Sequence, residues 1–292
     1  MKVLNFGSLN IDHVYHVDHI VREGETIAST DYRQFCGGKG LNQSVALSLA
    51  GAQVYHAGKI GGDGNFLIKK LEEVSVNTSF IEISEKERTG QALIQVDRFG
   101  QNSIVLVPGA NQCITEEQAA ATIRYFSGSD FLLLQNEVSS IPAMMRKAKE
   151  RKMTVFFNPS PMNIDVLSYP MEFVDYFIIN EVEGFELTGE KEGDKIIRTM
   201  QMKFPSSAVI LTLGSLGSIY SSHTITSRMP AFPVLAVDTT AAGDTFIGYF
   251  IAEIISGSSI RRSVEIATKA ASICVTRKGA ADSIPKRNEL SF

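Results

Sequence analysis

The sequence predicts an α/β protein in which a mostly parallel sheet is flanked by helices and a smaller sheet is attached to it. Three observations carry that expectation. Short apolar runs alternate with amphipathic ones along the chain, the pattern of parallel strands joined by helical crossovers. Two segments interrupt this alternation with strand-like runs joined by polar turns and no helix between them. Acidic and amide residues recur just after the apolar runs, at what would be the ligand-binding edge of an open sheet.

The elements follow in chain order. "VLNFGS" is the first strand, and "HVYHVDHIVREGETIASTDYRQF" is the first inserted pair of strands, about 11–36, turning at "REGE". A glycine-rich "CGGKG" then opens a helix over 41–50, followed by the strand "VYHAGKIG" and a helix over 66–74. The second inserted pair lies at about 89–108, turning at "RFGQN". "FLLLQ", "TVFFNPS", "FVDYFIIN" and "AVILTLG" are further strands, with a helix over 141–151 that starts from Ser139 or Ser140 and carries Pro142 in its first turn. Two long helices close the chain, over 243–256 and 259–275, the second capped by Ser258 or Ser259. Strands inserted into an α/β chain suggest a lid over the edge where such folds bind ligands.

At 292 residues, with 44% hydrophobic and 21% charged residues, the composition is that of an ordinary globular chain of one or two domains. A net charge of −4 and the absence of a basic run argue against nucleic acid as a partner. No apolar run approaches the roughly 18 residues of a membrane span. The N-terminal "MKVLNFGSLNID" becomes polar too early for a signal peptide, so a cytoplasmic location is expected. Cys36, Cys113 and Cys274 are far apart and form neither a disulfide framework nor a zinc motif. On a strand, His13 and His19 would share one face and His16 the other, which argues against a metal site there.

Several stretches carry chemistry. In "VDTTAAGDTFIG", Asp244 follows small residues at a helix start, where it could cap the helix or face a ligand. "GGKGLNQ" places Lys39, Asn42 and Gln43 at one end of an apolar helix, the first two as donors suited to hydroxyl groups, behind glycines that allow close approach; Gly40 stands where a P-loop needs Ser or Thr. Asn10 and Asp12 at the end of the first strand, Glu137 after "LLLQN", and Asn180 and Glu183 at "NEVE" add polar groups at strand ends. "TLGSLG" is a glycine-punctuated turn of the kind that can follow a nucleotide.

With "GSLNID", "GGKGLNQ", "NEVE", "TLGSLG", "DTTAAGDTFIG" and "VTRKGAADSIP" in one order over nearly the whole chain, the sequence resembles the ribokinase-like (phosphofructokinase-B) sugar kinases. The resemblance implies a three-layer fold with a β-sheet lid. It also implies ATP-dependent phosphorylation of the primary hydroxyl of a pentose, D-ribose first and deoxyribose, a nucleoside or another sugar as alternatives. A catalytically silent sugar-binding regulator is the reading from another class.

The resemblance puts the catalytic base on Asp244 and an anion hole on Ala241, Ala242 and Gly243. Sugar contacts fall on Asn10, Asp12, Gly38, Lys39, Gly40, Asn42 and Glu137. Asn180 and Glu183 would organise Mg2+ through water. Nucleotide contacts would come from Asn180, from Thr212, Leu213, Gly214, Ser215, Leu216 and Gly217, from Gly243, and from Thr268. One branch of the family also binds K+, at positions matching Asp238, Thr240, Cys274, Arg277, Gly279 and Ser283. Pairing of two lids implies a homodimer. The chain departs from the family pattern at Ile247, Leu216 and Thr268, which bear on the nucleotide, and at Leu41, which bears on the sugar pocket.

Overall fold

The computed structural model describes residues 1–290. The chain runs β1 (Val3–Phe6), β2 (Asn10–His16), β3 (Asp31–Gly37), α1 (Lys39–Leu49), β4 (Val54–Gly61), α2 (Asn65–Glu73), β5 (Asn77–Ser84), β6 (Gly90–Val96) and β7 (Asn102–Val107). It continues with α3 (Glu116–Ile123), β8 (Phe131–Gln135), α4 (Ile141–Glu150), β9 (Thr154–Asn158), β10 (Tyr176–Asn180), α5 (Glu181–Thr188) and α6 (Gly193–Lys203). The last elements are β11 (Ala208–Thr212), β12 (Ser218–Ser221), β13 (Thr226–Met229), α7 (Ala242–Ile255) and α8 (Ile260–Cys274).

Among the described residues, nine strands form the main sheet in the order β13-β12-β11-β10-β9-β8-β1-β4-β5. From β5 to β11 every neighbouring pair is parallel, and β12 and β13 add antiparallel partners at one edge. The chain leaves β1 toward β4 on one side and later returns to β8 on the other, so strand order reverses beside β1. Open α/β sheets place ligands at such a switch point.

Period-two alternation divides the sheet's side chains between two cores. Leu133, Phe156, Ile178 and Ile210 face one core, which also holds apolar residues of α1, α2, α7 and α8. Leu132, Leu134, Phe157 and Ile179 face the other, with residues of α3, α4, α5 and α6. The result is the expected sandwich of helices, sheet and helices. A second sheet of order β3-β2-β6-β7 is made of the two inserted segments.

Three local expectations are corrected. Asn10 and Asp12 do not end the first strand; β1 stops at Phe6, and both residues lie on β2, in the second sheet. His19 lies beyond the end of β2, in a loop where its Nε2 meets Glu25 Oε1 at 2.9 Å. Ser140 stands at the start of α4 in the left-handed region (φ 64°), with its hydroxyl donating to Ile114 O rather than capping the helix. Ser259 does cap α8, accepting from Arg262 N at 3.3 Å.

One close contact sets the geometry of the site. α1 and α7 pack so tightly that a Cβ on Gly248 would lie 2.4 Å from Ala46 Cβ and 2.7 Å from Leu47 N. The two helices can meet at this distance only because position 248 has no side chain. Gly248→Ala should therefore lower stability by about 1–3 kcal/mol through overpacking, read as a lower denaturant midpoint; an unchanged midpoint would show that the helices separate without cost.

Candidate active site

The parallel strands end at a common edge, and polar residues lie at or within two positions of the ends of five of them. Ser8 follows β1, Glu137 follows β8, Asn158 ends β9, Asn180 ends β10 and Thr212 ends β11. The N-termini of α1 and α7 come to the same edge. A pocket there is lined by Lys39, Asn158, Asn180, Glu183, Thr212 and the segment Ala241, Ala242, Gly243 and Asp244, with Ile247 on its wall.

Backbone contact places the start of α1. A Cβ on Gly40 would lie 2.3 Å from Ser8 N and 2.6 Å from Gly7 Cα, so helix and strand end touch main chain to main chain. Gly38 holds the turn before it at φ 94°. Lys39 is thereby the first residue of α1, and its amide donates to Glu137 Oε2 at 3.0 Å. Ser8 Oγ donates to the same oxygen.

Asp244 is not a helix cap. Ala241 occupies that position in the left-handed region (φ 59°), with no side-chain bond to the helix, and Asp244 is the third helical residue. Its carboxylate is buried and held from α1: Gln43 Nε2 donates to Oδ1 at 2.8 Å and Asn42 Nδ2 to Oδ2 at 3.1 Å. Of the expected anion-hole residues, Ala242 has its N–H turned to Thr239 O at 3.3 Å. The next two amides, of Gly243 and Asp244, belong to the first turn, where no intrahelical acceptor exists. Among the described residues, a Cβ on Gly243 would meet nothing within 4 Å, so the missing side chain leaves open space rather than relieving a clash.

Asn180 and Glu183 form a capping box that starts α5. Asn180 Oδ1 accepts from Glu183 N at 2.9 Å, and Glu183 Oε2 accepts from Asn180 N at 3.0 Å. Asn158 Nδ2 adds a bond to Glu183 Oε2 at 3.3 Å. Every oxygen of this pair already has a protein partner, which suits a metal held through water more than one held directly.

Of the residues expected to contact a sugar, Asn10 has its Oδ1 accepting from Asn111 Nδ2 at 2.8 Å. Asp12 fits because β3 has no side chain at Gly37, where a Cβ would lie 2.1 Å from Asp12 Oδ2. Leu41 does not reach the pocket: it is fully buried in the core behind it.

The nucleotide-turn residues lie at the end of β11, with Gly214 at φ 54° and Gly217 at φ 99° shaping the turn. Leu216 is 73% exposed there. Thr268 is buried in α8, and its hydroxyl donates to Val264 O at 2.8 Å; it does not line the pocket.

The residues expected around a monovalent cation also converge. Asp238 Oδ1 accepts from Thr240 N at 2.9 Å and Oδ2 from Gly279 N at 3.0 Å, bracing the two loops against each other. Cys274 Sγ lies 3.7 Å from Thr240 O and 3.1 Å from Ser283 Oγ. Arg277 does not join them through its side chain, which pairs with Glu289. The oxygens of this set, from the Asp238 carboxylate, the Thr240 carbonyl and the Ser283 hydroxyl, are hard donors of the kind a monovalent ion takes.

The charge balance is uneven. Burial pulls Lys39 down, but Asp244, Glu137 and Glu183 together outweigh it and hold the ammonium above its ordinary range. Burial raises Glu137 and Glu183, opposed in each by neighbouring hydrogen bonds and Lys39. Burial, then the nearby Glu137, pushes Asp12 up to about 7. Three carboxylates, of Asp244, Glu137 and Glu183, thus surround one lysine, an excess that favours a cation arriving with any phosphate.

Sequence reasoning missed Ser8, Asn111 and Asn158, and marked Gln43 only as a polar residue of the helix start. Asn158 ends a buried strand just as Asn180 does, so the same strand-end rule could have found it. Asn111 reaches Leu9 and Asn10 across 102 and 101 residues and leaves no local signal.

The Asp12 shift has a consequence for stability. In the unfolded chain this carboxyl loses its proton near its ordinary 3.8, whereas in the fold it keeps it to about 7. Stability from this group is full below the lower value and is lost as pH rises through the upper one. Asp12→Asn should remove that dependence, so the variant's stability relative to the parent rises between about pH 4 and 7; parallel denaturation curves at both ends of the range would refute the shift.

Residues 1–287 match the model of the pfkB family carbohydrate kinases. The chain is similar to the ribokinase of Haemophilus influenzae, at 34% identity over 97% of this chain and 95% of that one. Among solved structures, it resembles Cryptococcus neoformans ribokinase in complex with ADP, with a TM-score of 0.88 and 35% identity over 99% of this chain and 98% of that one. Arabidopsis thaliana ribokinase complexed with ribose and ATP gives a TM-score of 0.88 at 28% identity, covering 99% of this chain and 96% of that one. The polar strand ends, the bare first turn of α7 and these likenesses together make the chain a member of the pfkB family of carbohydrate kinases.

Proposed function

We propose that the protein transfers the γ-phosphoryl group of ATP to the primary hydroxyl of D-ribose, giving ribose 5-phosphate, with Asp244 as the base. The observation that carries this reading is the Asp244 carboxylate, oriented by two amides of α1 and set in the bare first turn of α7. Ribose is favoured by the polar ring of Asn10, Asp12, Lys39, Asn42 and Glu137 and by the Arabidopsis relative's complex with ribose and ATP.

Phosphoryl transfer needs positioning and charge neutralisation more than covalent chemistry. The sugar would lie against the start of α1, with its primary hydroxyl aimed at Asp244. As the sugar oxygen forms its bond to γ-phosphorus, its O–H bond breaks, the proton passes to Asp244, and ADP leaves with the electron pair of the broken P–O bond. The amides of Gly243 and Asp244, reinforced by the α7 dipole, would face the charge on the transferred group. Thr212 to Gly217 would carry the nucleotide.

Magnesium, when bound, would supply charge neutralisation at the phosphates; Asn180, Glu183 and Asn158 would hold its waters. Potassium would be held by the Thr240 carbonyl and Ser283 hydroxyl region and would steady the loop before α7 without touching the sugar. The second sheet would close over the sugar and exclude water. A cytoplasmic location would suit a reaction that consumes ATP.

The test is an ATP-consumption screen over ribose, deoxyribose, fructose and nucleosides, with and without potassium, using the parent and Asp244→Asn. Fast turnover of ribose, stimulation by potassium and a kcat lowered at least about a thousandfold in Asp244→Asn are expected. Turnover of a nucleoside but not ribose would overturn the substrate, and a near-normal kcat in the variant would overturn the base.

The exposed apolar side chains of β6 and β7, among them Leu93, Ile104, Val105 and Val107, support a dimer formed through the second sheets. Light scattering should give about twice the chain mass of 31.9 kDa, and a monomer mass would remove the dimer from the proposal.

A further inference from the structure

We propose that Gln43 is a positioning residue that fixes Asp244 and reserves its Oδ2 for the incoming proton. Gln43 is fully buried, on the turn of α1 that faces α7. Its Nε2 donates to Asp244 Oδ1 at 2.8 Å, with a longer contact of 3.4 Å to Asn158 Oδ1.

The direction of this bond is settled by a chain of amides that ends on the backbone. Asn5 Nδ2 donates to the Gly40 carbonyl at 2.8 Å, which leaves Asn5 Oδ1 as an acceptor. Gln135 must then present its Nε2, which donates to Asn5 Oδ1 at 2.9 Å and to Gln43 Oε1 at 2.7 Å. Gln43 therefore has its oxygen turned to Gln135 and its nitrogen to Asp244, and it cannot turn over without losing both partners.

A fixed N–H donor on Oδ1 excludes a proton from the side of that oxygen facing Gln43. Oδ2 is bonded differently. Its donor, Asn42, has an Oδ1 that is buried and without a hydrogen-bond partner among the described residues, so nothing holds that amide to one orientation. Asn42 can present its oxygen to a protonated Oδ2. One carboxylate oxygen is thus pinned as an acceptor while the other can carry a proton. The charged and titratable groups facing Asp244 are Lys39 on the same helix, Glu137 after β8, Glu183 on α5 and Cys274 on α8.

The inference rests on Asp244 acting as the base, and a double-mutant cycle separates the two claims. Gln43→Met should lower kcat about ten- to a hundredfold through misplacement of the base, with the KM for ribose within about threefold. In the Asp244→Asn background the same substitution should have no further effect on kcat. Gln43→Glu keeps the shape and the bond from Gln135 but replaces the donor by an acceptor; it should shift the acid limb of the kcat profile to higher pH, and it serves also if Gln43→Met does not fold. A normal kcat in Gln43→Met, an equal fractional loss in both backgrounds, or an unmoved pH profile in Gln43→Glu would each overturn the role of Gln43 while Asp244 stands. A near-normal kcat in Asp244→Asn alone would overturn the base and this inference with it.

Discussion

The site depends on how closely α1 approaches α7. Asp244 lies one helical turn before Gly248, and Asn42 one turn before Ala46, so the helix contact at Gly248 and Ala46 is followed one turn away by the amide–carboxylate contact. Asn and Gln side chains are short. If a side chain at 248 held the helices apart, neither amide would reach the acid. The same spacing leaves the first turn of α7 facing the pocket, because Ala241 enters the helix from a left-handed conformation and offers no side chain to cap it. Packing one turn deeper between the two helices thus determines the position of the Asp244 carboxylate.

The sheet supplies the second constraint. Parallel strands that start at one edge also finish at one edge, so residues more than 200 positions apart in sequence become neighbours without long loops. Ser8, Glu137, Asn158, Asn180 and Thr212 share that edge and bring oxygen and amide groups into an acidic pocket. Lys39 is the one ammonium among Glu137, Glu183 and Asp244. Such a pocket repels a bare nucleotide, which supports the proposal that the co-substrate brings its own counter-charge.

Most of the sheet could be read from the sequence, because its strands are short apolar runs between turn signals. "FLLLQ" coincides with β8, and the last helices differ from expectation by about one residue at each end. The short elements were harder. α5 begins at Asn180 and Glu183, residues whose spacing is also a helix-start signal, and a reading that used them as ligands passed over the helix. β12 and β13 are four residues each and follow a glycine turn, too short for an alternating pattern to stand out. In the site, Asp244, Lys39 and Glu137 were legible because polar residues interrupt apolar or small ones. Gln43 was visible beside them but had no distinguishing mark, since its significance comes from Gln135 and Asp244, 92 and 201 residues away. Asn10 and Asp12 were recognised as polar contacts but assigned to the wrong sheet, because three residues between β1 and β2 contain no signal that the chain has changed layers.

The capping box of Asn180 and Glu183 has an evolutionary consequence. Three hydrogen bonds between these two residues start α5, and the same two side chains line the pocket. Selection for a folded helix and selection for a working kinase therefore act on the same atoms. Drift at either position would be purged even in a descendant that had lost catalysis, and the pair would outlast the activity as a relic of it.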